Sequence, residues 1–92
     1  MRPIGVVEKV TNSRNFLVRY RGPVEYDPKD LKVVDEELRV VGVVRDVIGP
    51  VDAPFFLVKV TIPIDEARSY VGRRLYLLEP PSLLARKLRN SG

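Results

Sequence analysis

The sequence predicts an all-β domain, a small closed barrel, on three observations. β-Branched residues dominate: Val occurs 16 times, Ile 4 and Thr 2 in 92 residues, and such side chains favour extended backbone. The 6 Gly and 8 Pro cut the apolar runs into short pieces, the pattern of several strands joined by turns. The chain is long enough for one domain only, and a domain of this size gains by closing its sheet edges into a barrel rather than leaving a sandwich open.

Strands are expected near 3–10, 15–20, 32–34, 38–48, 55–60 and 74–79. Thr11-Asn12-Ser13 ends the first. Arg21-Gly22-Pro23 through Pro28-Lys29-Asp30 separates the second from the short third. Asp35-Glu36-Glu37 precedes the fourth, and Gly49 to Pro54 separates the fourth from the fifth. The stretch from Ile62-Pro63 to Val71-Gly72 reads as a loop before the last strand. One helix is expected, near 82–90: Ser82 can cap it after Pro80-Pro81, and Leu84 and Leu88 share a face. Alone it is too short to be stable, so it docks on the barrel or stays disordered. The chain thus divides into a barrel, 1–80, and a basic tail, 81–92.

Alternation along the strands assigns faces. Phe56, Val58 and Val60 point inward, which leaves Phe55 and Leu57 partly outside beside Lys59. In the fourth strand Arg39 and Arg45 mark the outward face, so Val41, Val43 and Val47 fall on it unless a bulge shifts the register. These surplus apolar residues need cover, from the 61–72 loop, from the tail or from another protein. Gly5-Val6-Val7-Glu8-Lys9-Val10 echoes Gly42-Val43-Val44-Arg45-Asp46-Val47. Two similar hairpin halves would explain the echo, and chance in a Val-rich chain explains it more cheaply.

Composition removes several chemistries. With no Cys and no His, disulfides, Cys/His metal sites, thiol nucleophiles and His-based triads are excluded. No apolar run reaches the roughly 18 residues of a membrane span, and the first residues lack the apolar core of a secretion signal. These features predict a reducing, cytoplasmic setting. Of the 16 basic residues, Arg86, Lys87 and Arg89 lie in 82–92 with none of the 12 acids. The barrel itself is therefore almost neutral, without the basic stripe of a domain that holds nucleic acid on its main face.

The densest run is Asp46 to Phe56. Gly49 permits a turn that other residues resist, Pro50 fixes φ and removes a donor, and Pro54 forces Ala53 toward extended geometry. The result is a stiff loop that presents Val51 and delivers Phe55, and a rigid apolar loop loses little entropy on binding. A plain connection between two strands is the blander reading.

Gly42-Val43-Val44-Arg45-Asp46-Val47-Ile48-Gly49-Pro50-Val51, then Pro54-Phe55 and Val58-Lys59, resembles the hallmark stretch of the Gar family. These are the small core subunits of H/ACA ribonucleoproteins, the RNA-guided pseudouridine synthases. Gly5-x-Val7, Phe16-Leu17-Val18, Tyr70-Val71-Gly72 and Leu75-Tyr76 extend the likeness over about residues 3–79. The resemblance implies a six-stranded barrel like the second domain of translation elongation factors. It implies a non-catalytic subunit that binds the TruB-like synthase and assists substrate RNA loading and product release in rRNA processing. Other core proteins and the guide RNA would be met mostly indirectly, and no cofactor, metal or small-molecule ligand is implied. Matched to the family motif, the partner surface comprises Asp46, Val47, Gly49, Pro50, Val51, Pro54 and Phe55, with Tyr70, Val71 and Gly72 as a second motif. The chain has no glycine/arginine-rich repeat, so it is similar to the short archaeal-type form.

Two alternatives follow from the residues. An autonomous RNA-binding barrel would use Arg86, Lys87 and Arg89 of the tail with Arg19, Tyr20 and Arg21. Its stacking platform is poor, because Phe16 and Tyr20 are expected to point inward. An enzyme would need Asp46 as a nucleophile, and no companion base is in view; a turn-capping or ion-paired Asp46 fits better.

Overall fold

A computed structural model describes residues 2–21, 24 and 26–79. Six strands, β1 (Arg2–Val10), β2 (Asn15–Arg19), β3 (Lys32–Val34), β4 (Val40–Ile48), β5 (Phe55–Val60) and β6 (Arg74–Leu78), close into a barrel in the order β1-β2-β5-β4-β3-β6. Every neighbouring pair is antiparallel. The interior is filled by Phe16 and Val18 of β2, Phe56 and Val58 of β5, Val33, Val44 and Leu75, all buried. Phe55 and Leu57 stand half-buried on the outside, as alternation requires. The 81–92 tail, with its expected helix and Arg86, Lys87 and Arg89, lies outside the described residues.

The 61–72 stretch departs from the expected loop. It holds one helical turn, α1 (Ile64–Ala67), continued as a 3₁₀ turn over Arg68–Tyr70. Pro63 enters it with extended backbone, and the Ala67 N–H donates to the Pro63 carbonyl at 2.9 Å. Four residues cannot show a 3.6-residue period, so alternation had nothing to detect.

The echo between the two Gly-Val-Val segments is structural, not chance. Exchanging β1 with β4, β2 with β5 and β3 with β6 maps the ring order onto itself, so the barrel has an internal two-fold pseudo-symmetry. The register repeats in detail. Val7 pairs with Val18 and Lys9 with Leu17; Val44 pairs with Val58 and Asp46 with Leu57. The residue skipped is Glu8 in one case and Arg45 in the other. On the opposite edges Ile4 is skipped between Pro3 and Gly5, and Val41 between Val40 and Gly42. A Cβ on Gly5 would lie 2.1 Å from the Arg19 carbonyl oxygen, and one on Gly42 would lie 2.6 Å from that of Lys59. The two glycines thus each admit a close backbone approach at equivalent crossings, Gly5 alone doing so at a positive φ, +152°.

Those bulges overturn two face assignments. Strict alternation put Val41 and Val47 outside with Arg45. The bulge at Val41 turns its side chain into the core, where it is fully buried. The bulge at Arg45 resets the register, so Val47 leans on the core opposite Phe56. Val43, between the two bulges, stays half-buried.

Candidate partner-docking corner

Strands alternate direction around the ring, so the connections sort onto two ends. The 49–54 loop sits at one end with the 20–31 connection. The turns at 11–14 and 35–39 and the 61–73 segment sit at the other. The two motifs expected to form the partner surface, 46–55 and 70–72, therefore lie at opposite ends of the barrel.

At the first end β4 turns into β5. Gly49 adopts φ +94°, and its Cβ position meets only ordinary contacts, so the backbone conformation and not crowding demands glycine. Pro50 is exposed, and Val51 is 83% exposed at the tip. Pro54 is buried, and its carbonyl accepts the Tyr20 N–H at 2.9 Å. That bond fixes the loop to the chain leaving β2. The Arg19 guanidinium lies 4.0 Å from the centre of the half-buried Phe55 ring and pairs with Glu8 at 3.4 Å. Asp46 is exposed, and its Oδ1 accepts the Val47 N–H at 2.8 Å, the local turn-capping role weighed above. Val47, expected on the surface, packs against the core.

The corner is larger than the motif residues. Ile48, exposed, pairs with Phe55, and Leu57 pairs with Leu17. Leu17 sits between the buried Phe16 and Val18 and so faces out, half-buried. Ile48, Phe55, Leu57 and Leu17 continue the apolar surface from Val51 onto the outside of β4, β5 and β2. Leu17 was readable by alternation once Phe16 is placed inside. Ile48 was not, because its direction depends on the Arg45 bulge.

At the other end Tyr70 is 3% exposed, and its hydroxyl donates to Asp35 Oδ2 at 2.8 Å. Its ring packs edge-on against Phe16, with the Arg73 guanidinium 4.3 Å from the ring centre. Tyr70 is a core residue. What it holds is a turn: Val71 is exposed, and Gly72, at φ +85°, donates its N–H to the Val7 carbonyl at 2.9 Å. Asp35 Oδ1 accepts the N–H groups of Glu37 and Arg39 at 2.9 and 3.0 Å. Burial pushes the Asp35 carboxyl up. The Tyr70 hydroxyl, the two N–H groups and the Arg73 charge outweigh it and hold the group below its ordinary range. Burial and the Asp35 carboxylate in turn push the Tyr70 hydroxyl up. Arg39 and Glu66 form a surface ion pair that joins the 35–39 turn to α1.

No protein-family model and no curated protein matches the chain. Among solved structures it is similar to the Gar1 domain of NAf1, with a TM-score of 0.67 and 21% identity, over 85% of this chain and 81% of that one. The barrel has a Gar1-like fold.

Proposed function

We propose that the chain is a non-catalytic core subunit of an H/ACA ribonucleoprotein, a member of the Gar family. In this reading it binds the TruB-like pseudouridine synthase subunit and assists substrate loading and product release in RNA-guided pseudouridylation of rRNA, in the cytoplasm. The observation that carries the reading is the 49–54 corner. A loop turned at Gly49, stiffened by Pro50 and Pro54 and tied to Tyr20 holds Val51 in water. An isolated fold gains nothing from an exposed Val so constrained, and a partner that covers it does. The motif run from Gly42 to Phe55 and the Gar1-like fold support the same assignment. The docking residues are Gly49, Pro50, Val51 and Phe55, extended by Ile48 and Leu57. Val47 and Pro54 shape the corner from behind, Asp46 caps the turn at its exposed edge, and Tyr70 sets the Val71-Gly72 turn.

A pull-down of this chain against the TruB-like subunit, with and without guide RNA, tests the assignment. Capture without RNA, retained at high salt, is expected of an apolar docking surface. Capture only with RNA, falling steeply with salt, would replace it by phosphate-driven binding.

A further inference from the structure

The geometry points to a site for the phosphate backbone of a nucleic-acid strand on the outer face of β3-β4-β5. Val43 pairs with Lys32 on one side and with Lys59 on the other. Both lysines are exposed, and Val33 after the one and Val58 before the other are buried, so both lysine side chains point outward. A hollow of about 410 Å³ opens over Val43, and Lys29, Asp30, Arg45, Lys59 and Thr61 also line it. Cations from the 20–31 connection, from β4 and from β5 thus border one concavity. None of Lys29, Lys32, Arg45 and Lys59 is in an ion pair among the described residues. Of the nearby acids, Asp30 lines the hollow. Asp27 and Asp46 each turn a carboxylate oxygen to a backbone N–H, that of Lys29 at 3.0 Å and that of Val47 at 2.8 Å.

The two-fold build supplies an internal control. Exchange of the halves carries Lys32, Val43 and Lys59 onto Arg74, Val6 and Arg19, a second row of cation, valine and cation. There the bulge residue is Glu8, which pairs with Arg19 at 3.4 Å. The equivalent residue beside Lys59 is Arg45, so this row gains a further cation where the other has a counter-ion. Uncompensated cations gathered over one hollow attract a polyanion. Among the described residues no aromatic lines the hollow, so bases have nothing to stack on, and recognition is of phosphate rather than of sequence. β3, β4 and β5 are paired on both edges in the closed barrel, which leaves no edge for an added peptide strand. The half-buried Val43 gives a peptide side chain little apolar anchorage. Both facts favour a phosphate backbone over an acidic peptide. Lys59 follows Phe55 and Leu57 at two-residue spacing along the outside of β5, so the site borders the docking corner. It does not depend on that docking and is measured without the synthase.

Fluorescence anisotropy of a labelled oligouridine RNA titrated with the intact chain, over a range of salt, is the test. Binding that falls steeply with salt is expected. Arg45→Gln and Lys59→Gln should each weaken it several-fold and lower the slope of log affinity against log salt by about 0.7. Arg74→Gln, at the position equivalent to Lys32, should leave both unchanged, and polyglutamate should compete far less well than unlabelled oligouridine. All three positions are exposed, and unchanged thermal melts confirm that the fold is kept. No binding at low salt overturns the inference. So does binding that the Arg45 and Lys59 variants leave as strong and as salt-dependent, which would put the contact on the tail, or an equal loss in Arg74→Gln. Competition by polyglutamate as strong as by RNA overturns it in favour of an acidic protein.

Discussion

The β1–β2 and β4–β5 hairpins are the same object built twice, apart from how they are closed. Both carry a glycine pressed against the neighbouring backbone, a bulge three residues later and a buried Phe on the return strand. The first closes through the 11–14 turn, where the Thr11 N–H reaches the Asn15 carbonyl at 2.8 Å and the Arg14 N–H reaches the Thr11 carbonyl at 3.0 Å. The second closes through six residues, Gly49 to Pro54, and holds Val51 in water. Whatever stability requires is present in both hairpins. The longer, stiffer, apolar closure is an addition that the barrel does not need.

That comparison can be broken at its base. Gly5→Ala and Gly42→Ala both drive a methyl group into a backbone carbonyl, and each should cost about 3 kcal/mol or more. Urea denaturation of the two variants should give large losses at both, the greater at Gly5, which also holds φ +152°; a harmless change at either site would end the structural equivalence. Next in size is Tyr70→Phe. It removes a donor from buried Asp35 and should cost about 1–3 kcal/mol at neutral pH. Because the Asp35 carboxyl is held below its ordinary 3.8, its contribution is present above that pH and fades as pH falls through the folded value. The wild-type urea midpoint should therefore fall below about pH 4, and the Tyr70→Phe variant should lose less over the same range.

Smaller effects sharpen the contrast between the ends. Leu38 is 61% exposed at φ +66°, a conformation that costs an L-residue about 1 kcal/mol. Leu38→Gly should raise stability by up to about 1 kcal/mol in the same urea assay. Val51→Asp should leave stability within about 0.5 kcal/mol, since its side chain is almost wholly in water.

Most of the strand layout was legible, because β-branched alternation and Gly/Pro punctuation carry it directly. Phe56, Val58, Phe55 and Leu57 took the faces that period two assigns. Where a bulge inserts a residue the period breaks: Val41 and Val47 were assigned outward, and nothing in their own types reveals the skip. The bulges were nevertheless written in the sequence at longer range, as the repeated Gly-Val-Val segment. Its regularity marks the two-fold build. The corner was readable because Pro50 and Pro54 restrict the backbone locally and Gly49 permits the turn between the strands. The burial of Tyr70 was not legible, because its partner Asp35 lies far away in sequence, and a buried Tyr–Asp bond leaves no local pattern.

The most direct test of the account is binding of a TruB-like synthase subunit to Val51→Asp, with Asn12→Asp in the matching β1–β2 turn as the control. The unaltered chain and Asn12→Asp should bind alike, whereas Val51→Asp should bind at least about tenfold more weakly while melting normally. Equal binding by all three, or no binding by the unaltered chain, would contradict it.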